Sequence, residues 1–377
     1  MLAIYAYNCI KFKFLLRYIL FLVKRIMGVN LKDIIPSACK IELTDLRQLI
    51  RKVVSLDGYN ALYQFLAAVR QPDGTPLMDS KGRVTSHLSG LFYRTINLIE
   101  NGVKPVYVFD GRPPEIKRAE LEKRTMRREK ARKLAEKAYE EGAVEEAAKY
   151  IVQAISLESH MVKDARELLD AMGIPHVQAA EEGEAQAAYL AKKGLSWAVG
   201  SQDYDSLLFG APRLVRNLTI SGKRKLPGKE VYIEIKPEVI ELDKLLKSLG
   251  ITREQLIDIA ILIGTDYNPD GVEGVGPKTA LQLIKTYGSL EKALKHIPQA
   301  KFPEDPLKIR SYFLNPPVVD ISKIEWREPD RQRIIEILVK EHDFSLDRVE
   351  NAIKRLEKGY REYIKSSVAS LDVWFKK

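Results

Sequence analysis

From residue 53 onward, short apolar runs of strand-forming residues alternate with stretches whose pattern is helical. The runs predicted as strands are Val53–Leu56, Pro105–Phe109, Pro175–Gln178 and Trp197–Val199. The stretches predicted as helices are Ala61–Val69, Ser86–Asn101 and Asp164–Met172. Strands that alternate with helices along a chain are typical of a parallel sheet covered by helices. We therefore predict an α/β protein with a mainly parallel central sheet flanked by helices.

The alternation stops between residues 115 and 160, where Lys, Arg, Glu and Ala predominate and no strand is predicted. Lys117–Lys137 holds ten basic residues and four acidic ones. A solvated charged helix is one interpretation of such a run. The run follows directly on Asp110, however, so a helix here would rise from the end of a predicted strand. Lys117 and Arg124 are seven residues apart, which places them on one helix face that could clamp a phosphate.

Carboxylates mark the ends of several apolar runs. Seven of them lie in five short motifs, and four of these motifs close an apolar run or lie beside one. They are Asp57, Asp110, Glu182, Glu184, Asp203, Asp205 and Asp266. Ligands of parallel sheets bind beyond the carboxyl ends of the strands, where Asp57, Asp110 and Asp203 fall. Carboxylates that share one pocket repel each other unless hard divalent cations neutralise them, so the pattern predicts a magnesium-type site.

The glycine-rich segment 271–280 nearly matches a phosphate-binding P-loop. Pro277 stands where the lysine should follow the last glycine, and the preceding run Ile257–Ile263 is predicted as a helix or buried run. We therefore exclude nucleoside triphosphate binding. A tight turn between two helices remains. It is either an ordinary connection or a DNA contact in which the amides that start the next helix bind phosphates.

Composition and charge limit the classes of function that this chain could have. A hydrophobic fraction of 45% beside 30% charged residues describes a globular protein. The net charge of +10 favours an anionic partner, although a generally basic proteome would give the same value. The two cysteines and five histidines form neither a zinc-ligand spacing nor a Ser-His-Asp pattern.

The first 26 residues differ from the rest because they are apolar, aromatic and basic and contain no acid. Arg17 interrupts the stretch, so it lacks the run of about 20 apolar residues that a bilayer span requires. A membrane-surface helix is one interpretation. We favour an upstream start codon misread as the true one, with Met27 as the natural beginning.

Five ordered motifs together resemble the flap endonucleases, the structure-specific 5′-nucleases of replication. They read VVSLDGYNALYQFL, VYVFDGRPPEIKRAELEKR, EEGEAQAA, GSQDYDSLLFG and IGTDYNPDGVEGVGPKTALQLI. The likeness runs from Met27 to the C-terminus, and the short arch segment is closer to the archaeal branch. It implies a 5′-nuclease (PIN-like) fold with a helical arch and a helix–two-turn–helix element that binds DNA.

The resemblance also implies roles for individual residues. It places the seven carboxylates at a site for two Mg²⁺ ions, for which Mn²⁺ can substitute. It makes Lys117 and Arg124 the catalytic basic pair and Tyr63 an aromatic that stacks on a base. The duplex contact, with a K⁺ site, falls on Gly274, Gly276, Lys278 and Thr279. The clamp-binding tail keeps Leu371, Trp374 and Phe375 but has Val368 where the family has Gln.

The expected activity is that of a 5′ flap endonuclease with 5′–3′ exonuclease activity, in Okazaki fragment maturation and base excision repair. We expect a cytoplasmic monomer that binds branched DNA and the sliding clamp (PCNA), with no membrane partner. A related excision-repair nuclease would carry a long insertion after the Asp110 region. A non-catalytic DNA- or clamp-binding scaffold, the main alternative, would be expected to lack some of the carboxylates.

The same interpretation divides the chain into six regions. They are the atypical extension 1–26, the N-terminal nuclease region 27–127, the arch 128–160 (beginning near 115), the intermediate nuclease region 161–285, the C-terminal helical part 286–366 and the clamp-binding tail 367–377.

Overall fold

The structure is a computed structural model that describes residues 29–71, 75–143, 146–147, 150, 156–219, 222–225 and 232–365. The atypical extension 1–26 and the predicted clamp-binding residues Leu371, Trp374 and Phe375 lie outside these residues. Among the helices of the described ranges, none is long and apolar enough to cross a membrane.

Nine strands form within the described residues. They are β1 Lys40–Glu42, β2 Val53–Asp57, β3 Lys104–Phe109, β4 His176–Gln178, β5 Ala198–Gly200, β6 Arg213–Arg216, β7 Gly222–Lys225, β8 Tyr232–Ile235 and β9 Glu238–Glu241. Seven make one sheet in the order β1-β9-β6-β5-β2-β3-β4, and β7 pairs with β8. The five strands from β6 to β4 are mutually parallel, whereas β9 runs antiparallel to both β6 and β1. The predicted mainly parallel sheet is confirmed.

The helices cover the sheet and extend beyond it. They are α1 Gly58–Ala68, α2 Ser86–Glu100, α3 Arg118–Glu140, α4 Ser159–Ala171, α5 Gly183–Lys192, α6 Asp205–Leu208, α7 Leu242–Leu249, α8 Arg253–Ile263, α9 Pro277–Tyr287, α10 Leu290–Leu294, α11 Pro306–Leu314, α12 Arg331–Ile335 and α13 Leu346–Gly359. Single 3-10 turns lie at Ser37–Cys39, Leu46–Leu49 and Glu115–Lys117, and π-helical turns at Glu336–Glu341 and Tyr360–Lys365. All the predicted strands and helices are present, and the largest shift is that α4 begins at Ser159 instead of the predicted Asp164.

Two hydrophobic cores lie on opposite faces of the sheet. Leu214 and Ile240 pack in one core with α5, α8 and α9, whereas their neighbours Val215 and Val239 pack in the other with α1, α2 and α13. Successive strand residues point to opposite faces, so a strand that is apolar at every position is covered on both sides. The sheet is therefore a buried, rigid platform for the residues at its edge.

The parallel register brings the ends of the central strands together. Asp57 at the end of β2 is opposite Val108 of β3, and Leu56 is opposite Gly200, the last residue of β5. Phe109, the last residue of β3, is opposite Gln178 of β4. Residues that follow these strands therefore emerge at one edge of the sheet.

Gly111 lies at a close approach between the segments that follow β3 and β4. Its N–H donates to the carbonyl of Glu181 at 2.6 Å, and the N–H of Arg112 donates to the carbonyl of Ala180 at 3.2 Å. A Cβ atom at position 111 would lie only 2.2 Å from the carbonyl oxygen of Ala179. Only glycine allows this backbone approach, which holds Asp110 beside the segment that carries Glu182.

We expect Gly111→Ala to destabilise the protein by about 1–3 kcal/mol, because the added methyl group forces two backbone segments apart. The measurement is the unfolding midpoint in guanidinium chloride. Gly276→Ala is the control for stability, since a Cβ there meets no atom within 4 Å. Equal midpoints for the two variants would contradict the expected strain.

Candidate active site

Two of the predicted carboxylates lie where adjacent parallel strands end. Asp57 is the last residue of β2, and its Oδ1 accepts the N–H of Asn60 at 3.0 Å, so it also caps helix α1. Asp110 follows β3 directly, and its Oδ1 accepts the N–H of Gly183 at 2.7 Å. A Cβ at Gly183 would lie 2.7 Å from that same oxygen, so the missing side chain keeps the approach open.

The start of α5 and the segment after β5 supply four more carboxylates. Glu184 accepts a hydrogen bond from the Ser201 hydroxyl at 2.7 Å, and that hydroxyl oxygen accepts the N–H of Asp203 at 3.1 Å. Asp205 accepts the backbone N–H of Val29 at 2.9 Å. Glu182 stands at the N-cap position of α5 but gives its side chain no role in capping. The beginning of the described chain thus lies against the site.

Lys117 and Arg124 meet the carboxylates from the start of the charged helix α3. The Nζ of Lys117 lies 2.9 Å from Glu182 and 3.0 Å from Asp266. Arg124 contacts the other oxygen of Asp266 through Nη2 at 3.0 Å, and its Nε donates to Glu120 at 2.9 Å. The two basic residues therefore share one face and one partner, as their spacing predicts. Their role in chemistry stays a prediction at this point.

Burial and mutual repulsion raise the pKa of most of these carboxylates. Loss of water raises the pKa of Asp57 and of Asp110 to about 6, and the charge of Asp57 adds to the effect on Asp110. Burial and the charge of Asp266 raise the pKa of Asp205 to about 7. Burial, followed by the charge of Asp205, raises the pKa of Asp203 and of Glu184 well above their usual values. The charge of at least one other carboxylate contributes to each of these shifts, as expected for acids that lie close together.

Asp266 behaves differently because it faces both cations. Burial alone would raise its pKa, but the charges of Lys117 and Arg124 outweigh burial and lower the pKa to about 2. Glu182, although it contacts Lys117, has a raised pKa, because burial and the charge of Asp110 exceed the effect of the lysine. The seven carboxylates outnumber the two cations, which contact Glu182 and Asp266, so ionisation of all seven would leave a surplus of negative charge.

The donor chemistry of the pocket fits magnesium, which prefers hard carboxylate oxygens. In the described part of the chain, however, no three Asp, Glu, His or Cys side chains converge closely enough to hold an ion as they stand. The reason is visible in the contacts: Lys117 lies between Glu182 and Asp266, and the oxygens of other carboxylates point to backbone N–H groups. The residues that could hold a metal are therefore present but are turned to other partners.

Tyr63 lies on α1 beneath the charged helix. It is half-buried, its hydroxyl accepts a hydrogen bond from Arg128 at 3.0 Å, and the guanidinium lies 5.6 Å from the ring centroid. The ring is thus neither a core residue nor fully exposed. Its predicted base-stacking role stays a prediction.

The glycine-rich segment follows a helix, α8, as expected from the exclusion of a P-loop. The N–H of Val272 donates to the carbonyl of Leu262 at 2.8 Å, which folds the segment back onto α8. Gly274 has a φ of +79°, a conformation that favours glycine. The predicted contact residues Gly274, Gly276, Lys278 and Thr279 are all exposed at the start of α9, and no side chain caps that helix. Pro277, the first residue of α9, has no N–H, so an anion at this helix start would bind the N–H groups of the residues that follow it.

Sequence reasoning missed the neutral residues that hold the carboxylates. Asn60 bonds both Asp57 and Asp203, the latter through its Nδ2 at 2.7 Å, and Ser201 joins Glu184 to Asp203. Glu120, buried in α3, was also missed. Asn60 and Ser201 lie within the motifs that carry the acids, so their positions two or three residues from an Asp were the available signal.

Two family models match parts of this chain, and several known proteins are similar to it over most of its length. The XPG N-terminal domain family matches residues 27–131 and the XPG I-region family matches residues 173–266. Flap endonuclease 1 of Staphylothermus marinus is 66% identical over 349 residues, and the match covers 93% of this chain and 100% of that protein. Flap endonuclease 1 of Hyperthermus butylicus is 61% identical over 351 residues, with the same coverage of 93% and 100%. The solved structure of flap endonuclease-1 from Methanococcus jannaschii matches with a TM-score of 0.70 and 42% identity, covering 88% of this chain and 98% of that one.

The surplus of carboxylates predicts how the metal-free protein responds to pH. Groups whose pKa is raised on folding stabilise the fold below their unfolded value of 3.8, and that contribution is lost as pH rises through their folded values of about 6 to 7. We therefore expect Mg²⁺ at about millimolar concentration to raise the unfolding temperature more at pH 8 than at pH 5, where protons already neutralise the pocket. Calorimetry with Mg²⁺ or EDTA at constant ionic strength measures this, and an equal shift at both pH values would contradict it.

Proposed function

Because this chain belongs to the flap endonuclease family, we propose that it hydrolyses a DNA phosphodiester where a single-stranded 5′ flap joins duplex DNA, with two Mg²⁺ ions for which Mn²⁺ can substitute. Its similarity to flap endonucleases over nearly its whole length supports a structure-specific flap endonuclease activity. The observation that supports the metal-dependent chemistry is that carboxylates at the ends of parallel strands lie beside others from helix ends, two of which, Glu182 and Asp266, contact Lys117 and Arg124.

The seven carboxylates fall into two groups, those that follow a strand and those near the end of a helix. Asp57, Asp110 and the pair Asp203 and Asp205 come from strand ends, whereas Glu182 and Glu184 come from the start of α5 and Asp266 follows α8. These are the side chains that would hold the ions. Two Mg²⁺ ions held by these residues would supply an activated water and positive charge for the attacking and leaving oxygens of a phosphodiester.

Lys117 and Arg124 supply the positive charge that a phosphodiester needs in a pocket of carboxylates. Each is held by carboxylate contacts near 3.0 Å, and the side chain of each is mostly buried. An entering phosphate competes with Glu182 and Asp266 for these cations. Glu120 keeps the Arg124 guanidinium oriented from within α3, so the donor stays aimed at the pocket while its partner changes.

The DNA is recognised by its backbone and shape. The exposed start of α9, with Gly276, Lys278 and Thr279, would bind duplex phosphates through N–H groups and a lysine, and the same turn, with Gly274, would be the place for the K⁺ ion that the family implies. Tyr63, between α1 and α3, stacks on a base beside the scissile phosphate. Stacking of this kind tolerates any sequence.

Wider roles follow from the family. We propose that the same site gives 5′–3′ exonuclease activity and that the protein acts in Okazaki fragment maturation and base excision repair as a cytoplasmic monomer. The C-terminal residues Leu371, Trp374 and Phe375 would bind the sliding clamp (PCNA), with Val368 in place of the usual Gln.

Asp203→Asn should lower flap cleavage by about 10²-fold or more while flap DNA binding changes little, because the change removes one buried metal-site charge. The measurement is cleavage of 5′-labelled flap, nicked and single-stranded DNA with Mg²⁺ or EDTA. Asp347→Asn, an exposed residue in the first turn of α13, is the matched control and should cut like the wild type. Equal cutting of the three substrates would defeat flap specificity, and cutting in EDTA would defeat metal dependence.

Lys278→Ala should weaken binding to flap and duplex DNA of any sequence and should reduce the slope of log K against log salt by about 1, because one phosphate contact is lost. Fluorescence anisotropy on the Asp203→Asn background measures binding without cleavage. Lys358→Ala, exposed near the end of α13, is the control. An unchanged slope for Lys278→Ala would exclude this helix start from the DNA contact.

A further inference from the structure

Three uncharged side chains form a chain of hydrogen bonds that ends on Asp203. The hydroxyl of Thr219 donates to Oε1 of Gln64 at 2.7 Å, Nε2 of Gln64 donates to Oδ1 of Asn60, and Nδ2 of Asn60 donates to Oδ2 of Asp203 at 2.7 Å. We name Thr219, Gln64 and Asn60 the amide relay. Asn60 and Gln64 lie one turn apart on α1, so their side chains follow one another along one face.

The hydrogen-bond donors of the relay all point the same way, because the relay ends on the carboxylate of Asp203. The NH₂ group of Asn60 points at Asp203, and a carboxylate that is ionised to hold a cation can only accept this hydrogen bond. The Asn60 oxygen then faces Gln64, which must present its own NH₂ group, and the Gln64 oxygen is left to accept from the Thr219 hydroxyl. Every donor in the relay therefore points toward Asp203, and hydrogen bonds aligned in this way strengthen one another.

Asn60 also joins the carboxylates of two strands. Its backbone N–H donates to Asp57 at 3.0 Å, and its side chain holds Asp203, which follows the neighbouring parallel strand β5. Asn60 and Thr219 are buried, and Leu56, Val215 and Leu218 line the adjoining cavity together with the relay. A buried amide that loses its hydrogen-bond partner destabilises the fold, because its polar atoms are no longer solvated. The hydrogen bonds therefore fix the positions of these side chains.

We propose that the amide relay is a positioning device for Asp203 in divalent-metal binding, an inference that rests on the metal-dependent function proposed above. The relay differs from Lys117 and Arg124 because its members are neutral. They fix the orientation of the carboxylate and leave its negative charge for a cation. Asn60, Gln64 and Thr219 are thus positioning residues, and none of them is assigned to contact the DNA.

The test is Mg²⁺ binding to the full chain by isothermal titration calorimetry, without DNA. We expect Asn60→Leu to weaken Mg²⁺ binding about 10- to 100-fold, the range for residues that orient metal ligands. Thr219→Val, three hydrogen bonds from Asp203, should weaken it about threefold, and Thr219→Ser, which keeps the hydroxyl, should restore the wild-type value. Binding of flap DNA in EDTA should be the same for all of them.

Thr95→Val is the matched control. It removes another buried threonine hydroxyl, which lies 2.8 Å from the Tyr107 hydroxyl and belongs to α2, and it should leave Mg²⁺ binding unchanged. If the wild type binds no Mg²⁺, the proposed function itself fails. If the wild type binds Mg²⁺ and Thr219→Val binds it as tightly, or if Thr95→Val weakens binding equally, the relay inference is overturned. The Thr219 pair decides the matter even if Asn60→Leu does not fold.

Discussion

Repulsion between carboxylates at one edge of the sheet is the constraint on which the rest of this structure depends. Parallel register places the ends of β2, β3 and β5 side by side, and burial removes the water that would screen the acids that follow. Two unit charges about 4 Å apart repel by about 4 kcal/mol at an effective dielectric constant of about 20. The pocket is therefore stable only where protons, basic side chains or metal ions offset the charge.

The basic side chains that offset it come from far along the chain and thereby join its parts. Lys117 connects the turn before α3 to Glu182 at the start of α5 and to Asp266 after α8. Arg124 adds a second contact between α3 and Asp266. Asp266 also precedes the glycine-rich segment that leads to α9. The charged helix α3 and the segment that leads to the exposed start of α9 are thus both connected to the carboxylate pocket through Asp266.

The sequence allowed the central strands and their terminal acids to be predicted, because runs such as Val53–Leu56 and Pro105–Phe109 are apolar at nearly every position and end in a charge. Strands β1, β6 and β9 escaped prediction because each is short and carries charged residues at its ends, so their pattern resembles a loop. The partners of Lys117 could not be predicted, since Glu182 is 65 residues away and only the fold brings it near. The roles of Asn60 and Ser201 were hidden for a different reason: neutral side chains carry no charge pattern to search for.

The neutral and the charged contacts of the pocket have separate physical tasks. Lys117 and Arg124 lower the energy of the crowded carboxylates, but a cation that binds a carboxylate this way also competes with any metal ion for it. Asn60, Ser201 and the N–H groups of Val29 and Gly183 hold carboxylates by dipoles and remove no charge. If only basic side chains held the carboxylates, little negative charge would be left to bind a metal ion. If no basic side chain held them, the repulsion between the carboxylates would destabilise the pocket whenever the metal ion was absent. The site combines a neutral frame with basic side chains whose partners can be exchanged, and this combination suits the proposed binding of both metal ions and a phosphate.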